Sequence, residues 1–175
     1  MLDIVLYPDS RLRAKNARIE SFNSELETLA REMLDLMYQT KGVGLAAPQV
    51  GVNVKMMVFN SEGDHEKPDL ERVYCNPKLI HKDKETIPGE EGCLSFPGIY
   101  AQVLRPVKIA VEAQDLTGET FQLDLVDWEA RVFLHENDHL EGILFIDRLS
   151  PSDKTRLRPA VRAMEHEYKE RIAGS

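Results

Sequence analysis

The chain has 175 residues, of which 42% are hydrophobic and 30% charged, and its formal net charge is −8 at pH 7. Such a length and composition suit one globular domain over residues 1–175, and the negative charge argues against binding to DNA or other nucleic acid. No apolar stretch is long enough to span a membrane, and the N-terminus has no basic and apolar secretion signal. We therefore expect a cytoplasmic protein without a membrane partner.

The first half of the chain predicts one helix and two strands. The helix covers residues 24–40: Ser24 and Glu27 form a capping box, apolar residues recur at helical spacing, and Gly42 stops it. Strands are predicted near 55–60 and 72–80, and Pro77 is expected to end or kink the second one at a sheet edge. Three further side chains are expected to have no function, one in the core and two in solvent: Cys75, His65 and His81.

The second half predicts a hairpin and two helices. Residues 107–113 and 121–125 alternate around a turn, as strands of a hairpin do. Asp127 is expected to cap the next helix and Gly142 to end it. A C-terminal helix of about 151–172 starts at Ser150-Pro151 and is kinked or restarted at Pro159. This order predicts an α+β fold, with mostly antiparallel sheets packed around a central metal-binding helix and flanked by N-terminal and C-terminal helices.

Residues 135–139 (His-Glu-Asn-Asp-His) suggest a metal site. His135 and His139 lie four residues apart, so a helix places both rings on one face, where they can hold one metal ion. Glu136 is then next to the first ligand and can take a proton from water. The alternative is a solvated polar helix face that carries two histidines.

Cys93, in the run Glu-Gly-Cys-Leu-Ser, is the third candidate ligand. A thiolate and two imidazoles leave one coordination position open, which is typical of a catalytic metal site. Gly92 allows the backbone to approach a metal or substrate closely. The alternative for Cys93 is a small buried hydrophobic residue.

Residues 42–49 (Gly-Val-Gly-Leu-Ala-Ala-Pro-Gln) form a third notable run. Its small residues leave room at a surface, and the amide of Gln49 can donate a hydrogen bond. The alternative is a helix cap followed by a tight turn, with Gln49 exposed. No Lys-Ser/Thr pair follows the glycines, so the run is not a phosphate-binding loop.

Taken together, the three runs resemble the signature blocks of peptide deformylase, and the resemblance extends from residue 6 to residue 147. It implies removal of the N-formyl group from N-formylmethionine at the start of newly made polypeptides, with release of formate. In that reading Glu136 is the general base, and the Gln49 side chain and the Leu94 backbone N–H stabilise the developing negative charge. The chain departs from the family at Leu134, where Gln is usual, and we expect altered packing or hydrogen bonding there.

The resemblance also implies a cofactor and a substrate cleft. One divalent ion is expected, with iron(II) as the physiological metal and zinc, nickel or cobalt as replacements in purified protein, although affinity order alone favours zinc over iron. Apolar walls and backbone that pairs with the extended peptide are expected to come from six residues, of which Trp128 and Val132 suit the core equally well. These are Val43, Gly44, Gly98, Tyr100, Trp128 and Val132.

Three charged residues are candidates for orienting the ligands. Glu91 can accept a hydrogen bond from a metal-bound histidine, and Asp138 can pair with Arg105. The alternative for all three is ordinary surface charge. In the C-terminal helix, the resemblance adds ribosome docking to the simpler interpretation of a solvated basic face. That basic run consists of Lys154, Arg156, Arg158 and Arg162.

Two other functions fit part of the pattern. A zinc endopeptidase with the same helix motif takes a further ligand downstream, for which Asp147 is the nearest acid. A protein without enzymatic activity can hold a structural metal ion. Glu136 argues against the second, because a structural site needs no general base.

Overall fold

The structure is a computed structural model that describes residues 2–174. Its fold is α+β with antiparallel sheets, as the element order predicts. The three helices are α1 (Ser24–Gln39), α2 (Asp127–Leu140) and α3 (Pro151–Ala173). The seven strands are β1 (Gly44–Ala46), β2 (Met56–Asn60), β3 (Glu71–Lys82), β4 (Thr86–Cys93), β5 (Phe96–Pro106), β6 (Lys108–Gln114) and β7 (Thr120–Val126).

The strands form two sheets with antiparallel neighbours. One has five strands in the order β1-β2-β3-β6-β7, and the other is the β4–β5 hairpin. The β6–β7 pairing confirms the predicted hairpin. The β4–β5 hairpin is absent from the sequence-based prediction, although it carries Cys93 at its tip, where Cys93 pairs with Phe96 after a register shift.

The prediction that Pro77 lies at a sheet edge is wrong. Strand β3 lies inside the five-stranded sheet, between β2 and β6, and Pro77 is buried within it. The pairing with β6 shifts register between Cys75 and Lys78, and Asn76 has a φ of 51°. A bulge therefore accommodates the missing N–H of proline, and no sheet edge is needed. Cys75 is fully buried, and His65 and His81 are exposed, as predicted.

Two predicted helix caps and one predicted helix interruption need correction. Asn23, and not Ser24, caps α1, because its side chain accepts from the Leu26 N–H at 3.1 Å. Asp127 does not cap α2: the cap position is Val126, without a side-chain bond, and Asp127 is the first helical residue. Helix α3 begins after the Ser150 cap as predicted but continues through Pro159 without restarting.

Helix α2 lies at the centre of the molecule, and ten of its residues are buried. Its apolar residues pack on the five-stranded sheet, where the Phe133 ring meets Tyr74 edge to face at 5.3 Å. Leu134 belongs to this core cluster, so its side chain contributes to core packing. The core thus fixes one side of α2 and leaves its other side for the site. Among residues 2–174, no helix has the length and apolar character to cross a membrane.

Candidate metal centre

Three candidate ligands come together between α2 and the tip of the β4–β5 hairpin. His135 and His139 project from successive turns of α2, with ring centroids 5.3 Å apart. The Cys93 Sγ atom lies 3.3 Å from His139 Nε2. Ligand atoms of the three residues all lie within 4.8 Å of one another. The protein thus has a Cys/His/His group able to bind one metal ion.

The surroundings of this group fit a divalent transition metal. One thiol and two imidazoles suit such ions, and three ligands leave a position open. His135 Nδ1 is engaged with Glu91 Oε2 at 2.8 Å, so its Nε2 is the nitrogen available as a ligand. Glu136 Oε2 and His139 Nδ1 are buried and have no hydrogen-bond partner among the described residues. Buried polar atoms are rarely left unpaired, so Glu136 Oε2 marks a place for water or substrate.

Glu91 is buried at the centre of a charged network. Arg105 donates to both of its oxygens, at 2.8 and 3.0 Å. Arg105 also donates to Asp138 at 2.7 Å, and Arg148 donates to the other oxygen of Asp138 at 2.7 Å. Burial alone raises the pKa of Glu91, but hydrogen bonds from His135 and Arg105 outweigh it and lower the pKa to about 2. Glu91 is therefore a carboxylate, and it fixes the tautomer of His135.

Glu136 lies against the backbone of β1. A Cβ atom built at Gly44 would be 2.9 Å from Glu136 Oε1 and 3.0 Å from Val132 Cγ1. A larger residue at position 44 would therefore force the Glu136 side chain to shift. Burial raises the pKa of Glu136 to about 7. The nearby charge of His135 lowers this pKa, and the charge of Glu91 raises it. The positive charge of a bound ion acts to lower it.

Gln49 is 1% exposed, which excludes the interpretation of an exposed turn residue. The Ala46 N–H donates to Gln49 Oε1 at 2.9 Å. The amide nitrogen therefore faces the other way, and lies 3.3 Å from Ser95 Oγ and 3.5 Å from Cys93 Sγ. This anchoring presents the Gln49 N–H group beside the candidate ligands. Ser95, which helps to hold it, was not singled out from the sequence.

A cleft of about 750 Å³ opens onto the metal group. Val132 is buried at 4% exposure, whereas Tyr100 and Trp128 are 57% and 49% exposed. Trp128 also donates from its ring N–H to the Ser61 carbonyl at 2.9 Å. The residues predicted to bind substrate all line this cleft, together with Arg131, which was not predicted to be part of the site. They are Val43, Gly44, Gly98, Tyr100, Trp128 and Val132.

Asp147 is engaged elsewhere and is not part of the metal group. Arg13 donates to both of its oxygens, and the Leu144 N–H donates to it at 2.9 Å. Among the described residues, the Cys93, His135 and His139 cluster does not include it. Asp147 is therefore not available as the further metal ligand that a zinc endopeptidase would require.

Asp147→Asn is expected to keep the metal and to change stability by about 0–1 kcal/mol, because the pair with Arg13 is partly exposed. Burial alone raises the pKa of Asp147, but the bonds from Arg13 and Leu144 outweigh it and lower the pKa below 3.8. The stability from this shift is present above pH 3.8 and is lost as pH falls through the lowered pKa. Thermal unfolding should therefore separate variant and parent at pH 7 and bring them together in strong acid. Loss of bound metal in the variant would contradict this assignment.

The sequence profile described as polypeptide deformylase matches residues 1–155. The chain is 48% identical over 170 residues to peptide deformylase 1B, chloroplastic/mitochondrial, of Arabidopsis thaliana, covering 97% of this chain and 62% of the relative. It is 41% identical to peptide deformylase of Acidobacterium capsulatum, covering 93% of this chain and 94% of the relative. The chain thus spans less than two thirds of the plant relative's length.

Solved structures agree with the sequence comparison. The chain superposes on the crystal structure of Arabidopsis thaliana peptide deformylase 1B in complex with an inhibitor with a TM-score of 0.95 at 47% identity, covering 98% of this chain and 94% of the other. For peptide deformylase from Plasmodium falciparum the TM-score is 0.93 at 37% identity, covering 96% and 98%. On sequence and structure together, the chain belongs to the polypeptide deformylase family.

Proposed function

We propose that the chain hydrolyses the N-formyl group of N-formylmethionine at the N-terminus of newly made polypeptides and releases formate. The observation that carries the proposal is the buried Oε2 atom of Glu136, which has no hydrogen-bond partner within residues 2–174 and lies beside the Cys93, His135 and His139 group at the base of a cleft. A structural metal site needs no such carboxylate. Family membership supplies the substrate, and residues 1–175 are proposed to act as one catalytic domain.

The proposed chemistry distributes roles among the residues of the site. Cys93, His135 and His139 would hold a divalent ion, which when bound would supply Lewis acidity and lower the pKa of water toward neutrality. Glu136 removes a proton from the attacking water and later passes it to the leaving nitrogen. Negative charge develops on the formyl oxygen, and the Gln49 side-chain amide and the Leu94 backbone N–H are the proposed donors that stabilise it.

The proposed substrate lies extended in the cleft. In the described part of the chain, β1 is an end strand of its sheet and β5 pairs only with β4, so each has one edge without a neighbouring strand, where strand addition is proposed. Backbone at Val43-Gly44 and at Gly98–Tyr100 is therefore proposed to pair with the peptide. Val132 is proposed as a wall for the methionine side chain, with Trp128 and Tyr100 at the cleft rim.

Formate release from a formyl-Met-Ala-Ser peptide by iron- or nickel-loaded protein tests the activity. Release of formate with an intact Met-Ala bond supports the proposal. Cleavage of an internal peptide bond without formate release would favour an endopeptidase. Metal binding without either reaction would favour a structural site.

Iron(II) is the proposed physiological metal, with zinc, nickel or cobalt as substitutes in purified protein. A thiolate site that opens onto a cleft exposes its ion to dissolved oxygen, and iron(II) is oxidised there whereas zinc is not. Activity of protein purified without added metal should therefore fall in air and persist under strict anaerobiosis. Equal activity in both conditions would exclude iron.

Gln49→Leu is expected to lower kcat by about 10²–10³-fold, the usual cost of removing one oxyanion donor. Gln49 is not a ligand, so the metal content should be unchanged. Gln122→Leu on β7 is the matched control, because Gln122 is exposed and contacts Glu112. Steady-state kinetics on the formyl peptide measure both variants, and a Gln49 variant as active as the control would exclude this role.

Two proposals concern the cellular setting. The cytoplasm is the proposed location, because its reducing conditions keep Cys93 available as a thiol ligand. Fractionation of the native cells tests this location.

Ribosome docking through α3 is also proposed, because the basic residues of its first half are exposed: Lys154, Arg156, Arg158 and Arg162. Co-sedimentation with ribosomes should occur at low salt and weaken at moderate salt. Absence of binding at low salt would exclude docking.

A further inference from the structure

We infer that Arg131 is a positioning residue that aligns His135 through Glu91 and joins the metal-binding helix to the hairpin that carries Cys93. The inference rests on the proposed metal site but not on its substrate. Arg131 is 5% exposed and lies on α2. It precedes His135 by four residues, so both side chains project from the same face of the helix.

Arg131 and His135 hold the two oxygens of one carboxylate. Arg131 Nη1 donates to Glu91 Oε1 at 3.0 Å, and His135 Nδ1 faces Glu91 Oε2 at 2.8 Å. Successive turns of α2 therefore hold the Glu91 carboxylate together with Arg105, which donates to both of its oxygens. Since the orientation of this carboxylate directs the His135 ring, Arg131 acts on the ligand without touching it.

The same guanidinium is bonded to both strands of the hairpin. Its Nη1 donates to the Val103 carbonyl at 2.8 Å and to the Gly89 carbonyl at 3.3 Å, and its Nη2 donates to the Ile87 carbonyl at 2.9 Å. Ile87 and Gly89 belong to β4, which ends at Cys93, and Val103 belongs to β5. One planar group thus bonds the helix that carries two histidine ligands to both strands of the hairpin that carries the cysteine ligand, in addition to the bond from Arg105 on β5 to Asp138 on α2. A lysine ammonium has no such planar fork of donors.

The guanidinium of Arg131 packs directly against Gly89, where a side chain would not fit without displacing it. A Cβ atom built at Gly89 would lie 2.5 Å from Arg131 Cζ, 2.6 Å from Nε and 2.7 Å from Nη2. The φ angle of Gly89 is not among the positive ones, so its glycine is required by this close approach rather than by backbone conformation. Alanine at position 89 would displace the guanidinium while keeping all of its atoms.

Loss of Arg131 leaves the charge of Glu91 compensated. Arg105 still donates to both carboxylate oxygens, so Glu91 remains ionised and paired. The side-chain hydrogen bonds of Arg105 do not reach the hairpin carbonyls of Ile87, Gly89 and Val103. The expected defect is therefore in the alignment of the ligands, and it should be visible in metal binding itself.

The test measures cobalt(II) affinity by chelator competition, the visible absorption spectrum of the cobalt(II) protein, and the melting temperature. We expect Arg131→Met and Gly89→Ala each to weaken cobalt binding by about 10–100-fold, as changes around metal ligands do, and to shift the visible bands. Because both changes act on the same contact, the double variant should bind no more weakly than the worse single variant. Leu26→Ala, at a buried position of α1 in a separate core cluster, is the stability control and should lower the melting temperature with unchanged affinity and spectrum.

Two results would overturn the inference. Arg131→Met with parental affinity and spectrum, and only a lowered melting temperature like that of the control, would make Arg131 a plain packing residue. Effects of Arg131→Met and Gly89→Ala that multiply in the double variant would show that they act independently. Gly89→Ala retains the arginine and its charge, so it gives an answer if Arg131→Met fails to fold. Failure of the formate assay with these binding results intact would reject the proposed substrate and leave this inference standing.

Discussion

Glu136→Gln is expected to lower kcat/KM for formate release by about 10²–10⁴-fold, the usual contribution of a general acid–base group. Glutamine has nearly the same shape, so it should fit against Gly44 as the carboxylate does. It cannot accept a proton from water or deliver one to the leaving nitrogen. Glu136 is not one of the three clustered ligands, so the variant should retain its metal. Steady-state kinetics and metal analysis of the same preparation measure both quantities.

Glu141→Gln is the matched control for this prediction. Glu141 follows the end of α2, is exposed, and pairs with Lys55 at 2.8 Å. The same chemical change there should leave the rate unaltered. A Glu136 variant with the same turnover rate as this control would show that Glu136 has no role in the mechanism. If the variant has lost its metal, its low rate is explained by the missing metal and says nothing about proton transfer.

The helix half of the metal group could be predicted because its geometry is local. His135 and His139 are one turn apart in any α-helix, and the periodicity of residues 127–140 is enough to predict that helix. Cys93 lies far away in the chain, and its place beside the histidines depends on the β4–β5 hairpin. Its assignment as a ligand came from combining the cysteine with the two histidines of the helix motif, and the family resemblance then agreed with it.

The hairpin itself escaped prediction for a physical reason. Strand β4 contains Pro88, Gly89 and Gly92, which are poor strand formers. The backbone carbonyls of its residues 87 and 89 are bonded by Arg131, so tertiary contacts replace the missing local preference. Because the hairpin was not predicted, the partners of Arg131 on it could not be predicted either. Helical periodicity alone only places Arg131 on the same helix face as the histidines.

The incorrect predictions of the α1 cap and of Pro77 also concern features that the local sequence does not determine. Asn23 and Ser24 are both good capping residues, and sequence cannot decide between neighbours when either can accept from the helix N–H groups. Pro77 suggests a sheet edge if the strand is considered alone. The register shift against β6, which makes an interior proline tolerable, is a property of the pair of strands.

Cys93→Ala is expected to weaken metal binding by more than about 100-fold, beyond the 10–100-fold range seen for residues that only support ligands. The two imidazoles that remain cannot replace the thiolate. Binding to the folded state stabilises a protein by RT ln(1 + [L]/Kd), about 4 kcal/mol at a metal concentration 1,000 times Kd. The parent should therefore gain melting temperature when zinc or cobalt is added, and the variant should gain little at the same concentration.

Cys75→Ala separates loss of a ligand from loss of a cysteine. Cys75 is fully buried in the core beside α1, and burial raises the pKa of its thiol to about 12, so it is a neutral packing residue. Its replacement leaves a small cavity and should lower the melting temperature of the metal-free protein. It should nevertheless keep the full increase on addition of metal. An equal metal-induced increase in the Cys93 variant would mean that the sulfur at the hairpin tip is not a ligand, and the proposed hydrolysis would lose its metal centre.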